Sequence, residues 1–97
     1  MSELTIVVVL KVREGVEKEL RSVFTALVPP SRQDHGNLQY EVYVDRAEPR
    51  SFVFVERWTD EAAQVKHDQE SDHIRQFKTN HGTKIEKADV YRLERIV

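Results

Sequence analysis

One stretch of the chain concentrates side chains that can carry chemistry: Glu56 and Trp58 as Glu-x-Trp, then His67, then Ser71-Asp72-His73. A neutral imidazole, with an unperturbed pKa of ~6.5, can take or give a proton near neutrality. Beside aromatic walls such as Phe54 and Trp58, His67 or His73 suits a flat phenolic substrate. The structural alternative is that His67 bridges a helix and a sheet and Trp58 packs a core. Spacing alone fixes no partner that would orient either imidazole. Glu70-x-x-His73 matches the carboxylate–imidazole pair of di-iron bundles, but those sites need a second copy and further glutamates on facing helices. The sequence offers none, so no metal site is expected. Tyr40, Tyr43 and Tyr91 could orient a substrate oxygen or bond to backbone. Gly15, Gly36 and Gly82 stand alone, so no phosphate-cradling loop is expected. His35 and His81 fall in polar loops and are expected to be solvated.

These side chains must be positioned by a small set of elements. Leu4–Val12 is rich in β-branched residues and reads as a strand with two apolar faces. From Val16, the positions Leu20, Val23, Phe24, Leu27 and Val28 form one helical face. Pro29-Pro30 is expected to end that helix. Leu38–Asp45 reads as a strand with Tyr40 on the face of Leu38 and Val42. A turn at Arg46–Arg50 leads to a second strand, Ser51–Trp58, and the two should pair as an antiparallel hairpin. Phe52, Phe54, Glu56 and Trp58 share one face of it, and Val53, Val55 and Arg57 the other. Thr59 or Asp60 caps a short helix running to about Gln69. A further helical piece covers Asp72–Thr79, and Lys84–Val97 holds a last strand with an irregularity and an exposed edge.

The order β-α-β-β-α-β is the split βαβ arrangement: an α+β, ferredoxin-like domain over residues 1–97, with an antiparallel sheet and helices on one face. The strand Leu4–Val12 and the strand of Phe52–Val55 are apolar on both sides, so the helices cover only half of what needs covering. A homodimer, with two sheets facing each other, is the economical solution. Composition narrows the class further. The chain has no cysteine, so a disulfide scaffold, a thiolate zinc site and a thiol nucleophile are excluded. A net charge of −2 with mixed signs argues against nucleic acid. No apolar run approaches the roughly 20 residues of a membrane span. No secretory leader is read in Met1-Ser2-Glu3, and a cytoplasmic location is expected.

The run Gly36–Val42, then Pro49, Phe52–Asp60, Ala62-Ala63, His67, Ser71-Asp72-His73 and Phe77 resembles the antibiotic biosynthesis monooxygenase family, which includes quinol monooxygenases. The resemblance extends from the first strand to about Val90. It implies a dimeric α+β barrel of two ferredoxin-like chains. It also implies oxidation of a small phenolic or quinol substrate by molecular oxygen, without flavin, metal or haem. On that resemblance His67, Trp58 and His73 are the candidate catalytic residues, and Tyr40, Phe54, Phe77 and Tyr91 the candidate substrate-binding ones. Haem-degrading relatives carry an asparagine on the first strand, where this chain has Thr5 and no asparagine, which argues against haem. Other members isomerise small molecules. The expected function is therefore a cofactor-independent monooxygenase, with a non-catalytic binding dimer or an isomerase as alternatives.

Overall fold

The β-branched run at the start forms the centre of a four-stranded sheet. In the computed structural model, which describes residues 2–97, the elements run β1 (Leu4–Val12), α1 (Glu17–Arg32), β2 (Asn37–Asp45), β3 (Glu48–Trp58), α2 (Glu61–Glu70), α3 (Asp72–His81) and β4 (Ile85–Leu93). The strand order is β2-β3-β1-β4, and every neighbouring pair is antiparallel. This is the expected ferredoxin-like α+β fold, with β1 and β3 central and the helices on one face. Val7, Val9, Val53 and Val55 point away from the helices and are only half-buried.

The core lies between sheet and helices. Phe24, fully buried on α1, meets Phe52 and Phe54 edge-on, with ring centroids 5.0 and 5.1 Å away, and Phe77 at 5.6 Å. Such aromatic pairs add about 0.5–1.5 kcal/mol each to the burial itself. One cross-strand row spans all four strands. Tyr40 stands opposite Glu56, Glu56 opposite Ile6, and Ile6 opposite Arg92. The row places a phenol, a carboxyl and a guanidinium on the helix-facing side of the sheet.

Four local expectations are corrected. Helix α1 does not stop at Pro29-Pro30 but continues to Arg32. The prolines remove two donors, yet the turn beyond them is held by tertiary contacts: Ser31 is fully buried, and Arg32 Nε donates to the Tyr40 carbonyl at 3.0 Å. Strand β3 starts at Glu48 rather than Ser51, after a turn at Arg46-Ala47. Pro49 is tolerated there because β1 pairs only as far as Ser51, so its missing N–H faces no ladder on that side. Leu38 does not share the buried face of Tyr40. It sits at a register shift between Asn37 and Gln39 and is exposed. His81 is not solvated but half-buried, stacked on Phe77 at 6.3 Å.

Candidate active site

The alternation of β3 brings Phe54 and Glu56 to the helix side, and the helical period of α2 turns Gln64 and His67 towards them. Between sheet and helices lies a cavity of about 480 Å³. Its walls include Ile6, Val8, Tyr40, Phe54, Glu56, Gln64, His67, Ile74 and Phe77. The lining is mostly apolar with a few convergent polar groups, which is the usual make-up of a small-molecule site. Charged residues ring its mouth. Arg92 donates to Gln64 Oε1 at 3.0 Å and to Glu61 Oε1 at 2.8 Å, tying β4 to α2. Lys78 Nζ donates to Asp68 Oδ1 at 3.1 Å, tying α3 to α2.

His67 is buried in the wall of this cavity. Its Nδ1 donates to Asp34 Oδ2 at 2.6 Å, which leaves Nε2 as the free acceptor. Burial pushes the imidazole pKa below its ordinary value, against the pull of Asp34, so His67 is neutral at pH 7. Asp34 Oδ2 also accepts from Ser71 Oγ at 2.8 Å, and His73 Nε2 lies 3.3 Å from it and 3.1 Å from Ser31 Oγ. A second recess on the outer side is lined by Asp34 and again by His67, so the imidazole stands between cavity and surface.

Backbone geometry brings Asp34 to His67. Asp34 sits in the tight turn after α1, where its N–H donates to the Ser31 carbonyl at 3.1 Å. Gly36 follows with φ +84°, and its carbonyl accepts from Thr59 N at 2.8 Å. A Cβ at Gly36 would lie 2.5 Å from the Ala63 Cβ and 2.7 Å from Thr59 Oγ1, so only glycine permits the approach to α2. Asp60 caps α2 by accepting from Ala63 N at 2.9 Å. The break between α2 and α3 falls on the extended Ser71, whose hydroxyl is free to reach Asp34.

Glu56 is the other ionisable group of the cavity. Its Oε1 accepts from Trp58 Nε1 at 3.0 Å. Burial raises its pKa to about 7, the Trp58 bond opposes this, and the charge of Asp68 adds to it. Burial also pushes the Tyr40 phenol well above its ordinary range, and ionisation of Glu56 pushes it further, so it remains protonated.

The expected site residues divide into two groups. Tyr40, Phe54, His67 and Phe77 line the cavity. Trp58 and His73 do not. Trp58 is fully buried behind the wall, its ring 4.7 Å from that of His67, and His73 stands behind His67 on the Asp34 side. Tyr91 is half-exposed on the opposite face of the sheet, because alternation along β4 turns Val90 and Arg92 differently from it at the cavity edge. Two residues join the site without a role assigned from sequence: Glu56, a member of the Glu-x-Trp motif, and Asp34, in the polar connector. Asp34, His67 and His73 bring three potential metal-ligand atoms within 4.8 Å of one another. As arranged, one oxygen of Asp34 is engaged by protons of its neighbours. A zinc-sized ion, with bonds of about 2.0–2.2 Å, would have to displace them.

Comparison with known proteins agrees with the fold and with the family resemblance. Over 68 residues the chain is 37% identical to YcnE of Bacillus subtilis, provisionally named a monooxygenase, covering 70% of each chain. The crystal structure of PA3566 from Pseudomonas aeruginosa superposes with a TM-score of 0.93 at 28% identity, covering 100% of this chain and 97% of that one. SO0527 from Shewanella oneidensis gives 0.87 at 28% identity, covering 97% and 91%. Residues 4–80 match the family model described as antibiotic biosynthesis monooxygenase, and the chain belongs to that family.

Proposed function

We propose that the protein is a cofactor-independent monooxygenase that oxidises a small phenolic or quinol substrate with molecular oxygen in the cavity bordered by His67. The observation that carries this reading is a buried imidazole, paired through Nδ1 with Asp34, at the wall of a largely apolar, ring-sized space. His67 Nε2 takes the phenolic proton, and the low polarity around it favours a charge-delocalised phenolate over a localised ion. The phenolate passes an electron to oxygen, and recombination forms a carbon–oxygen bond at a ring carbon. Loss of the hydrogen on that carbon, with cleavage of the O–O bond, leaves a quinone carbonyl and one water. Both electron pairs come from the substrate, so the chemistry calls for no flavin, haem or metal. Tyr40, Phe54 and Phe77 supply walls for the ring.

The working unit is a homodimer in this reading. Val7, Val9, Val53 and Val55 form an apolar strip on the face without helices, with Tyr43 and Tyr91 exposed beside it. A second copy of the chain covers it in the barrel arrangement that the family resemblance implies, in the cytoplasm. Oxygen consumption with a panel of quinols, comparing wild type with His67→Ala, tests the function. Turnover in wild type that collapses in the variant supports it, whereas equal rates in both, or none in either, remove His67 from this role. Turnover that persists under argon points to an isomerase instead.

A further inference from the structure

We infer that Glu56 is a second catalytic residue of the cavity, a carboxylic acid that gives its proton to an oxygen of the bound molecule while His67 takes one elsewhere. The inference rests on the monooxygenase reading but uses different atoms. Glu56 is buried on the sheet side, and Trp58 links the two groups: its Nε1 donates to Glu56 Oε1 and its ring packs on His67. Oε2 of Glu56 has no hydrogen bond among the described residues. No side-chain oxygen or nitrogen among them is both sealed from the surface and unpaired. Oε2 is therefore reached from the cavity that Glu56 lines.

No cation neutralises this carboxyl. Arg92 occupies the same cross-strand row but spends its guanidinium on Gln64 and Glu61 at the mouth. The other ionisable groups lining the cavity are Tyr40 from β2, Glu61, His67 and Asp68 from α2, and Lys78 from α3, and the one further cation among them, Lys78, is paired with Asp68 at 3.1 Å rather than with Glu56. An unpaired carboxyl in such a place carries a proton, and a carboxylic acid donates a hydrogen bond where a carboxylate cannot.

The proposed reaction needs such a donor. Addition of oxygen to the phenolate carbon leaves a peroxide anion, which takes the Glu56 proton and becomes a hydroperoxide. The Glu56 carboxylate then removes the hydrogen on the same carbon as a proton. The C–H electron pair forms the carbonyl, the O–O bond breaks, and hydroxide leaves. The hydroxide takes the phenolic proton stored on His67. Glu56 and His67 return to their starting states, and substrate plus oxygen has become quinone plus water.

The test compares wild type, Glu56→Gln and Glu56→Asp. With a quinol that wild type oxidises, kcat should fall on the alkaline side as Glu56 ionises. Glu56→Gln should lose about 10²-fold in kcat with little change in KM, and lose that alkaline limb. Glu56→Asp should be slow but keep the limb. Unchanged kcat or an unchanged limb in Glu56→Gln overturns the inference. Difference infrared spectra between about pH 6 and pH 9 should contain a protonated-acid carbonyl band that Glu56→Gln lacks, and absence of the band from wild type also overturns it. If wild type oxidises no phenol, the monooxygenase reading fails and Glu56 is judged by binding of 1,4-naphthoquinone, followed by tryptophan fluorescence. Affinity that weakens about tenfold from pH 6 to pH 9 in wild type, but not in Glu56→Gln, supports proton donation to a ligand oxygen. Affinity independent of pH overturns it.

Discussion

Nδ1 of His67 lies 2.6 Å from Oδ2 of Asp34, although 33 residues separate them in the chain. The pairing fixes which imidazole nitrogen faces the cavity and which faces the outer recess. Asp34→Asn keeps the shape but permits the wrong tautomer. The expected result is a loss of about 10² in kcat for any reaction that uses His67 as base. Because Asp34 raises the His67 pKa, its removal should also move the acid limb of the rate profile to lower pH. Steady-state rates across pH check both effects, and an unmoved limb separates Asp34 from His67.

Gly36 carries a large steric penalty against substitution. Gly36→Ala places a methyl group 2.5 Å from the Ala63 Cβ at a φ of +84°. Left-handed backbone costs about 1–2 kcal/mol for a residue with a side chain, and overpacking typically 1–3. A loss of about 3 kcal/mol is expected in urea unfolding. The same change should weaken the Asp34–His67 contact, seen as lower activity in the folded fraction.

Stability should depend on pH through Glu56. Its proton is retained up to about pH 7 in the native chain, against an ordinary value of 4.5. Between these values the native state binds more protons than the unfolded one, so stability falls as pH rises, by about 3 kcal/mol once both are passed. Glu56→Gln cannot ionise and should gain on wild type across that interval, with no comparable gain at lower pH. Urea midpoints at about pH 4 and pH 8 measure the gap. His67 acts in the opposite sense: its lowered pKa makes the native state bind fewer protons than the unfolded chain below pH ~6.5, so acid costs stability there.

Turnover should survive a chelator. Added zinc should inhibit, because Asp34, His67 and His73 offer it three donors within 4.8 Å of one another. Rates with EDTA and with micromolar zinc, in wild type and in His73→Ala, test this. Loss of activity with EDTA would tie the reaction to a metal.

The fold is legible in the sequence because each strand carries its periodicity openly. β1 and β3 show β-branched runs, and α1 shows one clean apolar face. The cavity wall of Tyr40, Phe54, His67 and Phe77 agrees with motif and alternation. What stays hidden depends on contacts between distant segments. Asp34 is an acidic residue in a polar turn, and nothing local distinguishes it from a solvated one. Glu56 is visible as a motif member, but its environment is made by burial from three other elements. Trp58 and His73 lie one layer behind the wall that their motif suggests for them, since a motif gives order along the chain and not depth from a surface. Tyr91 turns away from the cavity without a sequence signal, because β4, an edge strand with a register shift against β1 at Lys11 and Val12, has too little apolar contrast to fix its faces.

The two prolines inside α1 have a consequence for the unfolded chain. Pro29 and Pro30 withhold two helical donors, yet they also lock two φ angles and restrict Val28 before them. The disordered chain just ahead of Asp34 thus samples fewer conformations, and folding surrenders less entropy when the turn after α1 closes. The acid that orients His67 is set at the end of a stiff post, and part of the ordering it needs is already written into the covalent structure.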